Sequence, residues 1–196
     1  MKNNIKVLVT SSHRPTRLIR SLMNDLASII PNSLRVNRGK MSFKDVAEKA
    51  LNLNTSLVLI VNRWKGGPGK IEFYEVEDRK IKLLTPIIYV RGVRLQRNHK
   101  LFFRKLQVKP KSLSIINPLN KDSEAQKLAE AFAKIFKVPI ISPTEDTISE
   151  SDVSMKIYRD GVGKLRITFI SNLHGGVEVG PEIFIRHIIW EAAKPD

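Results

Sequence analysis

The chain contains no cysteine. Disulfides, thiolate zinc sites and a cysteine nucleophile are thereby excluded, and the absence fits a reducing cytosol. No run of about 18 or more apolar residues occurs, so no stretch reads as a membrane-spanning helix. The opening MKNNIKVLVTSSHR turns polar too early for the apolar core of a secretory signal; the expected location is the cytoplasm, with no membrane partner. Histidine is scarce. His13, His99, His174 and His187 stand at separations that match no metal-ligand pattern. No metal and no cofactor are expected.

Acidic residues are thin in one half only. Residues 1–110 hold 23 Lys/Arg against 7 Asp/Glu, a net of +16, whereas residues 111–196 hold 11 against 12. A polycationic half attracts a polyanion by releasing its counterions. A generally solubilising surface is the competing reading, but the asymmetry argues against it. An anionic membrane surface fits less well, because the cations are spread over several elements instead of one amphipathic helix.

The apolar pattern alternates between strand-like runs and helical stripes. Ile5–Thr10 and Ser56–Val61 read as buried strands. Between them, Pro15 suits the first turn of a helix running to about Ile30. Its stripe is Leu18, Leu22, Leu26 and Ile29, widened by Ile19, Met23 and Ile30, with Arg17, Arg20 and Asn24 opposite. Ser33–Asn37 is a candidate short strand. Ser42 and Asp45 form a capping-box signature that opens a helix to about Leu51, with Phe43, Val46, Ala47 and Ala50 as its apolar positions. Ile71–Val76 and Ile81–Leu84 predict a hairpin turning at Glu77–Lys80. Ile87–Val90 and Val93–Leu95 continue as strand, with Gly92 a candidate bulge. Arg104–Lys111 is a basic connection, placed at the boundary between halves. Beyond it, Leu113–Ile116, a helix over Ser123–Lys137, and Pro139–Ser142 follow. Val153–Tyr158 and Leu165–Ile170 flank the Asp160-Gly161 turn signal, and Val177–Ile185 resumes strand. Both halves thus begin strand–helix–strand and end in hairpins, and the order predicts α/β layers with mixed sheets.

Four segments are candidates for binding. Ser11, Ser12, Arg14, Arg17 and Arg20 lie where a strand hands over to a helix N-terminus, whose free N–H groups and dipole suit phosphate. An ordinary capping loop with solvated arginines is the alternative. Arg35, Arg38 and Lys40 surround Gly39, and on their own residues they equally describe a charged surface turn. Trp64–Lys70 is glycine-rich but lacks the first Gly and the terminal Ser/Thr of a P-loop, and it leads into a strand instead of a helix. Nucleoside triphosphate binding is rejected there. A flexible loop with Arg63, Lys65 and Lys70 and a stackable Trp64 remains suited to RNA, against Trp64 packing on a core edge. In Arg91–Lys105, Arg94 and Gln96 alternate with Val93 and Leu95, so a basic face with Arg94 and Arg97 backs an apolar one. His99 reads as a surface residue. The carboxylates Asp122, Glu124, Glu145, Asp146, Glu150 and Asp152 cluster in the second half, where they read as caps and solvated loop residues.

Thr10-Ser11-Ser12-His13-Arg14-Pro15-Thr16-Arg17-Leu18-Ile19-Arg20-Ser21, with Asp25-Leu26, resembles the opening signature of Brix-domain proteins. Ser33-Leu34-Arg35-Val36-Asn37-Arg38-Gly39-Lys40 resembles the next block, and Thr168-Phe169-Ile170-Ser171 and Glu178-Val179-Gly180-Pro181 resemble the late ones. Glu182 stands where members often carry a basic residue, and Asn172-Leu173-His174 replaces an arginine-histidine cluster. The chain looks like the short archaeal form. The resemblance implies one Brix domain over 1–196, in tandem halves of about 1–110 and 111–196. Each half would be similar to the anticodon-binding domain of class IIa aminoacyl-tRNA synthetases. It implies a non-catalytic role in ribosome biogenesis and rRNA processing, with ribosomal RNA as partner alongside ribosomal or assembly proteins. A metal-dependent RNA-processing nuclease and a stand-alone tRNA-binding module are the alternatives.

Overall fold

The computed structural model describes residues 6–99, 109–118, 122–142 and 151–191. The expected boundary at Arg104–Lys111 falls largely outside them, as do Glu145, Asp146 and Glu150 of the acidic cluster and Lys100, Arg104 and Lys105 of the basic one.

Among the described residues the chain forms β1 (Val7–Ser11), α1 (Arg17–Ile29), β2 (Ser33–Arg35), α2 (Phe43–Asn52), β3 (Leu57–Trp64), β4 (Gly67–Glu77) and β5 (Lys80–Arg94). These are followed by β6 (Leu113–Ile116), α3 (Ser123–Phe136), β7 (Ile140–Ile141), β8 (Val153–Arg159), β9 (Leu165–Ser171), β10 (Val177–Glu178) and β11 (Glu182–Ile189). All strands join one mixed sheet in the order β2-β1-β3-β4-β5-β11-β9-β8-β6-β7, with β10 beside β9. The path reads the same from either end. β1 is parallel to β2 and β3, and β6 is parallel to β7 and β8. The antiparallel pair β5·β11 is the centre about which the two runs mirror each other.

One face of the sheet carries α1 and α3 over a continuous apolar core; α2 covers Leu8, Val58 and Ile60 on the other face. Phe73 of β4 meets Phe132 and Phe136 of α3 edge-on, with ring centroids 5.5 and 5.8 Å apart, so the two ends of the path share one interior. Each such fully buried apolar side chain contributes roughly 1.5–3 kcal/mol.

Local chemistry fixes the element ends. α2 has the complete capping box: the Ser42 hydroxyl accepts from Asp45 N–H and the Asp45 carboxylate accepts from Ser42 N–H. Those two hydrogen bonds, backbone first, hold Asp45 below the usual carboxylate range. α1 starts later than the sequence predicts. Thr16 is its N-cap, accepting from Ile19 N–H, so Pro15 precedes the helix. The stripe is also rotated. Ile19, Leu22, Met23, Leu26 and Ile29 are buried, while Leu18, at the edge of that arc, is 38% exposed. The glycine-rich Trp64–Lys70 segment is a hairpin, not a loop. Lys65 and Gly66, both at positive φ, make its two-residue turn, and a Cβ on Gly69 would collide with Trp64. The Glu77–Lys80 turn is of the same kind, with Asp78 and Arg79 at positive φ. Val177–Ile185 is not one strand: Val179-Gly180-Pro181 interrupts it between β10 and β11. Gly180 has φ 64° and lies so close to His99 that a Cβ would stand 2.6 Å from Nε2.

Candidate nucleic-acid interface

The chain leaves β1 through α1 to reach β2 on one side, then returns through α2 to β3 on the other. Because α1 and α2 lie on opposite faces, the carboxyl ends of β1 and β3 form a topological switch point, where α/β sheets place ligands. Three loops converge there. His13 Nδ1 is 3.1 Å from the Gly39 carbonyl oxygen. Arg63 N–H donates to Ser12 Oγ at 2.9 Å, and its Nη1 donates to the Arg14 carbonyl at 3.3 Å. The 11–16 loop, the 38–40 turn and the end of β3 are therefore fastened together, although the sequence separates them by up to 51 residues.

Within this region Arg14, Arg17, Arg20, Arg35, Lys40, Arg63 and Lys65 are exposed. Arg17 and Arg20 stand on the outer side of α1, whose first turn has no acidic residue. Neither they, Arg14, Lys40 nor Lys65 forms an ion pair among the described residues. Arg35 Nη2 donates to Asn37 Oδ1 at 2.7 Å. The short helical turn Gln96–Asn98 brings the last basic segment alongside: Gln96 N–H donates to Asp25 of α1 at 2.9 Å, and Ser28 Oγ donates to Gln96 Oε1 at 3.1 Å. Arg97, exposed on that turn, faces Asp25 electrostatically, but burial dominates and pushes the Asp25 carboxyl up.

Three expected contact residues do not present themselves. Ser11 is fully buried as the last residue of β1. Arg38 is 4% exposed; its Nε donates to the Met41 carbonyl at 2.6 Å and its guanidinium lies 4.8 Å from the Phe43 ring. It braces the entry to α2, which also explains why Phe43 is exposed and not core. Lys70 is paired with buried Glu72 at 2.6 Å. The same carboxylate accepts from Asn62 and from Tyr74 Oη, and burial followed by the Glu72 charge drives the Tyr74 phenol above its usual range. Arg94 is exposed but partly engaged, donating to the Asn98 carbonyl at 3.3 Å and lying 3.9 Å from Glu182.

The alternation read for Arg94–Gln96 also fails. Gln96 is buried and donates to the Gly180 carbonyl at 3.1 Å, because the strand ends at Arg94 and turns inward. His99 is buried too, with Nδ1 3.6 Å from Glu178; burial, then Arg94, lowers its pKa. His99, Glu178 and Glu182 bring ligand-type atoms within 4.8 Å of one another, a set that histidine spacing along the chain could not reveal. Glu182 already accepts from Arg166 at 2.7 Å and Tyr158 Oη at 2.9 Å, so the cluster is a balanced internal network. Burial and that Glu182 contact push the Tyr158 phenol up to about 12.

At the near-neutral end of the path two arginines, Arg159 and Arg166, are taken up by carboxylates. Arg159 pairs with Asp122 and Glu124 at 2.5 and 2.7 Å, and Arg166 pairs with Asp160 and Glu182, both at 2.7 Å. Asp122 also caps α3 through Glu124 and Ala125 N–H. Burial works upward on its carboxyl, but the Arg159 and backbone hydrogen bonds outweigh it and hold the pKa down.

No family model matches the chain. Several archaeal proteins do, each named a probable Brix domain-containing ribosomal biogenesis protein. The one from Thermococcus kodakarensis is 40% identical over 91 residues, covering 46% of this chain and 43% of that protein. The one from Pyrococcus abyssi is 35% identical over 130 residues, covering 66% and 56%. The one from Aeropyrum pernix is 29% identical over 175 residues, covering 88% and 91%. The matched part thus spans about half the length of the first two relatives. The crystal structure of a probable ribosomal biogenesis protein from Aeropyrum pernix superposes with a TM-score of 0.77 at 27% identity, over 92% of this chain and 95% of that one.

The chain is similar to archaeal Brix-domain ribosomal biogenesis proteins.

An archaeal Imp4-like protein shares the fold as well, with a TM-score of 0.62 at 19% identity over 94% of this chain and 99% of that one. The chain carries one further feature that sequence reasoning missed. A cleft of roughly 700 Å³ opens at the centre of the sheet, lined by Leu18, Trp64 and Lys65, by Val90–Val93, and by Lys164, Ile185 and Arg186 among others. Trp64 is 64% exposed there, not packed on a core edge. Lys164 and Arg186 come from the half of the sequence with no net positive charge, so counting charge by halves hides them. No helix among the described residues is long and apolar enough to cross a membrane.

Proposed function

We propose that this chain binds ribosomal RNA as a non-catalytic assembly factor in ribosome biogenesis and rRNA processing, with ribosomal or assembly proteins as further partners. The observation that carries the reading is the contrast in how arginine is used. Arg159 and Arg166 are consumed by carboxylates, whereas Arg17 and Arg20 stand exposed at a helix start with no acid in its first turn. Uncompensated cations beside free N–H groups at a switch point suit a phosphate backbone. The names of the archaeal relatives supply the class of RNA. We take the chain as one Brix domain whose halves meet near residue 110. Each half is taken to be built like a class IIa anticodon-binding domain, a reading that the mirrored strand path supports.

The test uses the full chain with transcripts of ribosomal RNA segments and with tRNA, in the presence of Mg²⁺. The reading expects salt-sensitive binding that favours an rRNA segment and leaves the RNA uncut. Cleavage of the transcript would instead establish a nuclease, and equal or tighter tRNA binding a tRNA module.

A further inference from the structure

From the central cleft we infer a site for one unpaired RNA nucleotide, with its base stacked on Trp64 and its flanking phosphates held by Lys65, Arg91, Lys164 and Arg186. This deepens the RNA-binding reading above and rests on it. The four cations form two related pairs. Lys65 and Lys164 come from the β3–β4 and β8–β9 turns, which are equivalent in the mirrored path. Arg91 and Arg186 come from the equivalent strands β5 and β11. The register there runs Phe184↔Gly92, Ile185↔Val90 and His187↔Tyr89, so Arg91 and Arg186 are each an extra residue at a bulge. A bulge residue has no partner across the ladder and is free to be re-aimed. All four cations are exposed, and among the described residues none is in an ion pair and no carboxylate lines the cleft. Among the described residues its net charge is therefore uncompensated.

The apolar parts break this symmetry. Trp64 stands on one side with Leu18 next to it, and Val90, Val93 and Ile185 lie between the two turns. One large aromatic face beside a floor of aliphatic carbon matches a single flat base, and the volume lies within the usual range for small-ligand sites. A paired A-form helix keeps its bases stacked inside and offers none to an indole. The ligand class is therefore a single-stranded or bulged segment, while Arg17, Arg20 and the switch-point loops serve backbone contacts to any form. The exposure of Leu18, unexplained by helix amphipathicity, follows from its place in this cleft.

The experiment compares full-length wild type with Trp64→Ala, Trp64→Phe and the Lys164→Gln/Arg186→Gln double variant. The probes are a single-stranded RNA of about ten nucleotides and a fully paired RNA hairpin. Trp64→Ala should weaken the single strand roughly ten- to a hundredfold, the effect of losing one base–aromatic stack. It should leave hairpin affinity within about twofold, and Trp64→Phe should recover most of the loss. The double variant should weaken the single strand and flatten its salt dependence. Wild-type indole fluorescence should fall on binding the single strand, and Trp64→Phe, in which Trp190 still reports, should abolish the change. Unchanged single-strand affinity in Trp64→Ala, or equal loss for both probes, overturns the nucleotide site while RNA binding itself stands. Affinity of the wild type for neither probe nor any rRNA segment overturns both.

Discussion

Replacing Arg17 and Arg20 together with alanine should separate binding from folding. Both side chains are exposed and neither forms an ion pair among the described residues. Arg17 opens α1 just after its Thr16 cap, at the positive end of the helix dipole. A cation there opposes the dipole by about 0.3–1 kcal/mol, and alanine favours a helix at least as well as arginine. The change in stability should therefore lie within about 0.5 kcal/mol of zero, on the stabilising side if anywhere. Binding behaves differently. Each charge-assisted contact to phosphate is worth roughly 1.5–3 kcal/mol, so affinity for an rRNA segment should fall on the order of a hundredfold or more for the pair. Two fewer neutralised phosphates should also lower the slope of log K against log salt by about 1.8 on duplex RNA, if duplex RNA behaves like B-DNA. Fluorescence anisotropy over about 50–200 mM salt measures affinity and slope, and a thermal melt measures folding. Unchanged affinity with unchanged slope would reduce these arginines to a solvated face. A large drop in melting temperature would make them structural.

Arg38→Ala should do the reverse, costing about 1–3 kcal/mol in urea unfolding through the lost Met41 hydrogen bond and ring contact; an altered RNA salt slope with unchanged stability would contradict that assignment. Phe73→Ala should cost about 3–5 kcal/mol and still give a single unfolding transition, because the ring packs on α3 across the mirrored path; two separated transitions would show independent interiors. His99 should make stability fall with acidification. Burial depresses its folded pKa below the ordinary histidine value of about 6.5, so its contribution is present above that value, where both states are neutral. It is lost as pH drops toward the depressed folded value, because the unfolded chain takes up the proton first. Comparing urea midpoints of wild type and His99→Gln across about pH 7.5 to 5 should show the variant less sensitive to acid over that interval; identical pH profiles would refute the assignment.

Elements whose signal is local were legible in the sequence. The Ser42–Asp45 box, the β1 and β3 runs, the Asp78–Arg79 turn and the Asp160 turn all follow from a few adjacent residues, and Asp160 secures its turn by accepting from Val162 and Lys164 N–H. Leu18 shows the limit of a stripe: amphipathicity gives the buried arc but not its edge, which depends on what packs beside the helix. Arg38, Lys70 and His99 show another. Composition counts a cation or a histidine without recording its partner: Met41 and Glu72 lie within three residues of Arg38 and Lys70, yet only the folded backbone shows that they face them, and Glu178 reaches His99 only once the chain has turned back on itself. The β3–β4 hairpin was hidden because Gly66, Gly67 and Gly69 suggest a flexible loop, whereas Gly66 serves a tight turn and Gly69 clears Trp64. The cleft was least accessible of all. Trp64 and Arg186 are far apart in sequence, and only the β5·β11 pairing brings them to one place.

The most direct measurement is ultraviolet crosslinking of the protein in its own cells, with the bound RNA sequenced and the crosslinked peptides mapped. The account predicts enrichment of ribosomal RNA at defined segments, with crosslinked peptides drawn from residues 12–20 and from the Trp64–Lys65 turn. Recovery of no RNA above background, or crosslinks confined to Arg159 and its surroundings, where the charge is already neutralised, would contradict it.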